Sequence, residues 1–171
     1  MSDTSRAALG LSRIVLRIWV VLNLATGAII VAAFAGTFLF TGTVSAYMQG
    51  RGFDVAVLLP ALRVWMILAL PYVAAVHILL SRLLEMIETV RLGNPFVPEN
   101  AVRMKTIAWC LLATQLLHLV FGVMVRIAAS ANAHMDWQFS INGWIAVLLL
   151  FVLARVFEEG TRIRDDLEKM I

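Results

Sequence analysis

The stretch RLGNPFVPENAVRM, residues 91–104, lies between two long apolar runs and contains two of the four prolines in the chain. Gly93 is suited to end the preceding helix, because glycine adopts the left-handed conformation of a helix C-terminus without strain. Pro95 disfavours helical backbone at the residue before it, Asn94. Pro98 suits the first turn of a new helix, with Glu99 near the positive end of the helix dipole. The stretch is therefore predicted to end one helix, reverse the chain and begin another.

The sequence on both sides of this reversal is typical of a membrane protein. Of the 171 residues, 61% are hydrophobic and 15% are charged, whereas about 25% are charged in an average soluble domain. A helix needs about 20 mainly apolar residues to cross a bilayer. Four segments have this character: 14–40, 61–84, 107–126 and 141–157. They lack the alternation of a membrane barrel. We therefore expect a single all-α integral-membrane domain over residues 1–171, a four-helix transmembrane bundle with cytoplasmic helical extensions.

The basic residues predict the orientation of the four spans. Eleven of the 14 Lys and Arg residues lie in the N-terminal flank, around the 91–104 stretch or in the C-terminal tail, and only Arg51, Arg63 and Arg126 lie elsewhere. By the positive-inside rule, both termini and the middle loop are predicted to be cytoplasmic. The tryptophans agree with this topology, because each falls near a predicted membrane boundary. They are Trp19 and Trp109 on the inner side, and Trp65, Trp137 and Trp144 on the outer side.

Several function classes are disfavoured by the residues that the sequence lacks. It has no block of Lys and Arg, so the high pI of about 9.6 does not indicate direct nucleic acid binding. None of the four spans contains Asp or Glu, which disfavours a proton-coupled exporter because such a protein needs a membrane carboxylate. His134 and Asp136 lack a third metal ligand, and the single Cys110 cannot form an internal disulfide. No catalytic residue, metal site or cofactor is predicted.

Two histidines are the intramembrane candidates for chemistry. His77 in the second span and His118 in the third could hold a haem iron, since paired histidines from facing helices do so. Their depths differ by about 6 Å, at about 1.5 Å of rise per residue. Hydrogen bonding between helices, with Gln115, Thr114 or Asn23 as partners, is the favoured interpretation.

Two helix faces are candidates for association. Ala28, Ala32 and Gly36 form a small-residue stripe on the first span, which predicts either packing inside the bundle or a homodimer. The second and fourth spans continue as amphipathic helices, and we expect these extensions to pack on each other or on a partner protein. The apolar seam of the last extension is spaced by four and three residues. Its members are Val156, Gly160, Ile163, Leu167 and Met170.

Three motifs together carry a resemblance to a family: GNPF at 93–96, ENAVRMKTIAW at 99–109 and LARVFEEGTRIRDDLE at 153–168. They resemble the bacterial membrane proteins grouped as domain-of-unknown-function family 2975. That resemblance implies a four-span inner-membrane protein without established enzymatic activity, often encoded beside a small Cro/C1-type helix-turn-helix regulator. One departure is Val97, where many relatives have a small hydroxyl residue that could cap the next helix. The matching positions are Gly93, Asn94, Pro95, Phe96, Glu99, Asn100, Arg155, Phe157, Gly160 and Leu167.

These observations predict a non-enzymatic, regulatory protein of the bacterial inner membrane. Its expected partners are the lipid bilayer, a small helix-turn-helix transcription regulator bound at the cytoplasmic face through the matching positions, and a second copy of the chain. A small transporter or carrier of lipophilic molecules is the alternative, and a haem or quinone redox protein is a third possibility.

Overall fold

Five helices form the computed structural model, which describes residues 3–93, 96–133 and 136–168, and the side chains of 10–93, 96–133, 136–164 and 166. No strand occurs in these ranges. The helices are α1 (Asp3–Leu39), α2 (Thr41–Gly50), α3 (Val55–Arg91), α4 (Pro98–Ser130) and α5 (Ile141–Glu168). Four of them, α1, α3, α4 and α5, are long and apolar enough to cross a membrane. The predicted four-helix membrane bundle is confirmed. The short α2 lies in a connection for which the sequence predicted no helix.

Successive long helices run antiparallel. Arg13, near the start of α1, lies 3.7 Å from Glu88, near the end of α3. Arg63, near the start of α3, donates to the carbonyl of Thr37, near the end of α1, at 2.7 Å. The aromatic ring of Trp109 in α4 likewise meets Phe151 in α5. The start of α1, the end of α3, the start of α4 and the end of α5 therefore share one end of the bundle, which we call the link end.

The four long helices follow one another as an open row. Within the residues that the structure describes, close backbone contacts join α1 to α3, α3 to α4 and α4 to α5, and α2 contacts α1 and α3. No such contact joins α1 to α5 or α3 to α5. The extensions of α3 and α5 thus have no close backbone contact with each other. They meet instead in an apolar cluster shared with the start of α4, where Leu83 and Met86 of α3 lie with Phe157 of α5. The outer helices α1 and α5 each have close backbone contacts with a single long helix.

The face of α1 that meets α3 differs from the predicted small-residue stripe. Ala28 and Ala32 are exposed, and open space surrounds Gly36. Homodimerisation through this stripe stays a prediction. The residues that are buried or half-buried recur every three or four positions, the spacing of a helix-packing seam. They are Gly10, Arg13, Leu16, Val20, Asn23, Gly27, Ile30, Phe34 and Thr37, and the half-buried Gly36 of the predicted stripe lies beside the last of them.

Close contacts at glycines fix how the helices pack. A Cβ atom at Gly27 would lie 3.2 Å from a methyl group of Val73, and one at Gly143 would overlap the side-chain amide of Gln115. At Gly122 it would lie 2.5 Å from the indole of Trp137. Small residues of this kind let membrane helices and side chains approach closely.

The indole of Trp137 packs against Gly122 and is held there by a hydrogen bond. Its indole N–H donates to the carbonyl oxygen of His118 at 3.2 Å, and the two rings lie 5.5 Å apart. The segment between α4 and α5 is therefore attached to α4 by a specific contact. Trp137 does more than mark the membrane boundary, which was its predicted role.

Replacing Gly122 with alanine should destabilise the bundle. The new methyl group must displace the Trp137 indole, and such overpacking costs about 1–3 kcal/mol. Thermal unfolding in detergent, followed by tryptophan fluorescence, measures the loss. Gly36→Ala is the matched control, because its methyl group enters open space and alanine favours helix. Equal stability of the two variants would contradict the role of the Gly122 contact.

Candidate interaction site at the link end

The link between α3 and α4 has the predicted turn chemistry. Gly93 adopts a positive φ of 85°, and its N–H donates to the carbonyl of Val90 at 3.1 Å. Val97 is the N-cap of α4 without a side-chain hydrogen bond, as expected for valine, and Pro98 opens the helix. Asn94 and Pro95 lie outside the described residues. The position of the link is thus set by local backbone preferences.

A buried asparagine connects the end of α3 to the start of α4. Asn100 is 0% exposed, and its amide donates to the hydroxyl of Thr89 at 2.7 Å. Thr89 in turn donates to the carbonyl of Met86 at 2.8 Å. The Asn100 carbonyl accepts from Arg103 at 2.9 Å. Because a buried amide without partners would be costly, these bonds make the pairing of the two helices specific.

Arg103 extends this network to the acidic side chains of α3. Its Nε lies 2.9 Å from a carboxylate oxygen of Glu85, which also pairs with Arg82 at 2.9 Å. One turn further along α3, Glu88 pairs with Arg91 on its own helix and with Arg13 of α1. Ion pairs and hydrogen bonds therefore join α1, α3 and α4 at the link end.

Phe96 attaches the link to α5. Its ring lies 5.6 Å from that of Phe157 and would be 3.5 Å from a Cβ atom at Gly160. The Phe96 carbonyl accepts from Arg164 at 3.3 Å. Phe157 also packs against an apolar core cluster that joins α3, α4 and α5 and contains Met86, Met104, Ile107 and Ala154. Although Phe96 is partly exposed, it has a structural role.

A groove of about 620 Å³ lies between the start of α4 and the end of α5. Apolar side chains form its floor, and charged side chains surround them. Its apolar members are Pro98, Ala101, Val102, Phe151 and Ala154, and its charged members are Lys105, Arg155, Glu158, Glu159 and Arg162. We call this the α4–α5 groove.

The outer face of α5 carries exposed apolar side chains among charges. Val156 is 58% exposed and Ile163 is 53% exposed, and they share one helix face because they are seven residues apart. This is the seam predicted from the sequence, but these two members face away from the bundle. Ile163 stands between Arg162 and Arg164 in the sequence. Both side chains are therefore open to contact from outside the described bundle.

A comparison with models of protein families shows which family the chain belongs to. The model described as "Protein of unknown function (DUF2975)" matches residues 54–171, more than half of the sequence. The chain belongs to the DUF2975 family. The predicted resemblance is confirmed, and the matched residues include the link, the Asn100 network and the α4–α5 groove. No curated protein and no solved structure matches the chain.

The predicted site residues of this DUF2975 protein occupy four different environments. Phe96, Phe157 and Gly160 form one packing contact, and Asn100 lies in the buried network. Arg155 lines the groove. Gly93 and Glu99 are exposed at the link, whereas Asn94, Pro95 and the Leu167 side chain lie outside the description. Contact of these residues with a partner stays a prediction.

The structure does not bring the intramembrane histidines together in any described contact. The buried Nδ1 of His77 has no hydrogen-bond partner among the described residues, and His118 stacks on Trp137. Gln115 packs on Gly143. Neither histidine lines the α4–α5 groove, or an apolar pocket of about 130 Å³ at the opposite end of the bundle. A carrier or haem function therefore gains no support from these positions.

The described structure does not support a metal site at the predicted loop positions either. Of the two loop residues that were weighed as ligands, His134 lies outside the description and Asp136 is exposed. The described part of the chain contains no group of three His, Cys, Asp or Glu side chains that could hold a metal ion.

Sequence reasoning missed the partners of Asn100. Thr89 was not considered, and Arg103 was counted only among the basic residues that predict the orientation. A signal was present: Asn100 precedes Met104 and Ile107 at spacings of four and three, so this DUF2975 chain places an amide on an apolar helix face. A polar residue on such a face predicts a buried hydrogen bond.

Arg103→Met should destabilise the protein more than Arg82→Met. Arg103 bridges two helices and its loss leaves the buried Asn100 carbonyl and Glu85 with fewer partners, which costs about 1–3 kcal/mol. Arg82 makes an exposed pair with Glu85 within one helix, worth about 0–1 kcal/mol. Thermal unfolding of both variants in the same detergent compares them. A larger loss for Arg82→Met would contradict the bridging role of Arg103.

Proposed function

We propose that this protein is a non-enzymatic regulatory protein of the bacterial inner membrane that binds a small helix-turn-helix regulator. In this proposal the link end faces the cytoplasm, because eleven of the 14 basic residues lie at that end of the predicted topology. Proton-coupled export is disfavoured by the absence of Asp and Glu from the four predicted spans.

The observation that carries the proposal is the outer face of α5, where Ile163 is exposed beyond the predicted span and Val156 is exposed at its boundary. Helix α5 is an outer member of the row, and among the described helices only α4 has close backbone contacts with it. The sequence continues the spacing of these two residues with Leu167 and Met170. An amphipathic helix of this kind can pair with an apolar helix face of a partner.

The regulator would be held at the membrane by this contact. Tethering keeps a DNA-binding protein away from the chromosome for as long as it stays bound. A shift of α5 relative to α4 would alter the contact surface and release the regulator. The Asn100 network supports such an arrangement, because it fixes α4 on α3 while α5 has no close backbone contact with α3.

Ile163→Glu should weaken co-purification of the protein with the regulator encoded beside it by at least about tenfold, since a buried apolar anchor carries much of the energy of an interface. Val156→Ser, on the same face, should have a smaller effect in the same direction. The measurement is a pull-down in mild detergent, repeated with purified components by fluorescence anisotropy.

Leu92→Glu is the matched control, because Leu92 is an exposed apolar residue at the link end but lies outside α5. It should leave binding unchanged. Phe96 is unsuitable for this test because it packs on Phe157 and Gly160. Absence of binding by the wild-type protein, or equal binding by Ile163→Glu, would refute the proposal.

A further inference from the structure

The charges in the α4–α5 groove do not cancel. Arg155 pairs with Glu158 at 3.0 Å and Arg162 pairs with Glu159 at 3.3 Å. Lys105 is exposed and forms no ion pair with any residue that the structure describes. The groove therefore retains one uncompensated positive charge. Arg155 also has further hydrogen-bond donors for a ligand. A guanidinium has five N–H groups, and one of its nitrogens bonds to Glu158.

One end of the groove reaches the apolar part of the bundle. Phe151 lies in its floor, and the exposed ring of Trp109 meets Phe151 edge to face at 5.3 Å. Both aromatic residues belong to the apolar runs that were predicted as spans, whereas Lys105 comes just before one run and Arg155 near the end of the other. The two cations thus lie at the level where hydrocarbon gives way to lipid headgroups. Long basic side chains extend their charge to that level.

We propose that the α4–α5 groove binds an anionic phospholipid from the leaflet at the link end. The phosphate lies between the Lys105 ammonium and the Arg155 guanidinium, since charge-assisted hydrogen bonds to phosphate are strong. The acyl chains run from the groove over Phe151 and Trp109 into the hydrocarbon. The aromatic contact between Phe151 and Trp109 favours a lipid over a water-soluble partner, because both residues lie in the predicted spans.

This site is separate from the regulator-binding face that was proposed above. Val156 and Ile163 do not line the groove, so a lipid in the groove leaves that face accessible. The two proposals can consequently fail independently. A bound lipid would also contact α4 and α5 together, which stabilises their pairing at the link end.

Native mass spectrometry of the detergent-purified protein tests the proposal. The protein is incubated with equal amounts of palmitoyl-oleoyl phosphatidylglycerol and palmitoyl-oleoyl phosphatidylcholine, and bound lipid is counted. The wild-type protein should retain phosphatidylglycerol preferentially. Lys105→Gln and Arg155→Gln should each reduce that preference about fivefold, the factor expected for loss of one basic contact to an anionic lipid.

Arg17→Gln is the matched control. Arg17 is an exposed cation of α1 in the same half of the bundle, but it lies outside the groove. It should leave the preference unchanged. All three side chains are exposed, so the variants should keep the thermal stability of the wild-type protein, which circular dichroism verifies.

Four results would overturn the proposal. The wild-type protein could show no preference for phosphatidylglycerol, or the preference could survive in both groove variants. Arg17→Gln could reduce it as much as they do, which would indicate general surface charge. Displacement of the lipid by inorganic phosphate at about 10 mM, roughly tenfold above a millimolar dissociation constant, would assign the site to the free anion.

Discussion

The hydrocarbon core of a bilayer offers the peptide backbone no hydrogen-bond partner, and the rest of this structure depends on that constraint. Each spanning segment must satisfy its N–H and C=O groups internally, so each forms a continuous helix. Lipid tails are as apolar as the side chains, so burial of apolar surface contributes little to helix association. Most of the large apolar residues of α1 can accordingly stay exposed. What holds the helices together is close fit and a few polar contacts.

The close fits lie at glycines. Gly122 accommodates the indole of Trp137, and Gly143 accommodates the amide of Gln115. Asn23 adds a hydrogen bond from α1 to the carbonyl of Val73 in α3, at 3.0 Å. Each contact joins helices or segments that are already formed, so it selects which faces meet without deciding whether a helix exists. Loss of a small residue at such a place changes the packing and leaves the helix intact.

At the link end the physical conditions change, because charged groups can be solvated there. The Asn100 network and the ion pairs of Glu85 and Glu88 join α1, α3 and α4. Helix α5 is connected differently, by the aromatic contact of Phe96 with Phe157 and by the apolar core. Since α5 ends the row, its groove and its outer face remain open. Both surfaces that we propose for binding are therefore on the helix with the fewest neighbours.

The family, the four spans and the reversal at 91–104 could all be predicted from the sequence. These predictions rest on local properties, which can be read without knowing which residues are neighbours in space. The properties are the length of the apolar runs, the positions of Gly93 and Pro98, and the three motifs. The candidate site was only partly predictable. Phe96, Asn100 and Arg155 were singled out from the motifs, but the packing of Phe96 on Phe157, the Thr89 bond and the groove at Lys105 were not foreseen. These depend on which residues of other helices come to face them.

The sequence by itself determined that the chain forms membrane-spanning helices and where the link between α3 and α4 begins and ends. Apolar length and turn chemistry require this whatever the packing. Only the tertiary structure decided that the helices form an open row, that Ala28 and Ala32 point away from α3, and that Val156 and Ile163 face outward. An apolar side chain has a similar free energy against lipid or against another helix, so its hydrophobicity does not reveal its neighbour. Steric fit between particular side chains makes that choice.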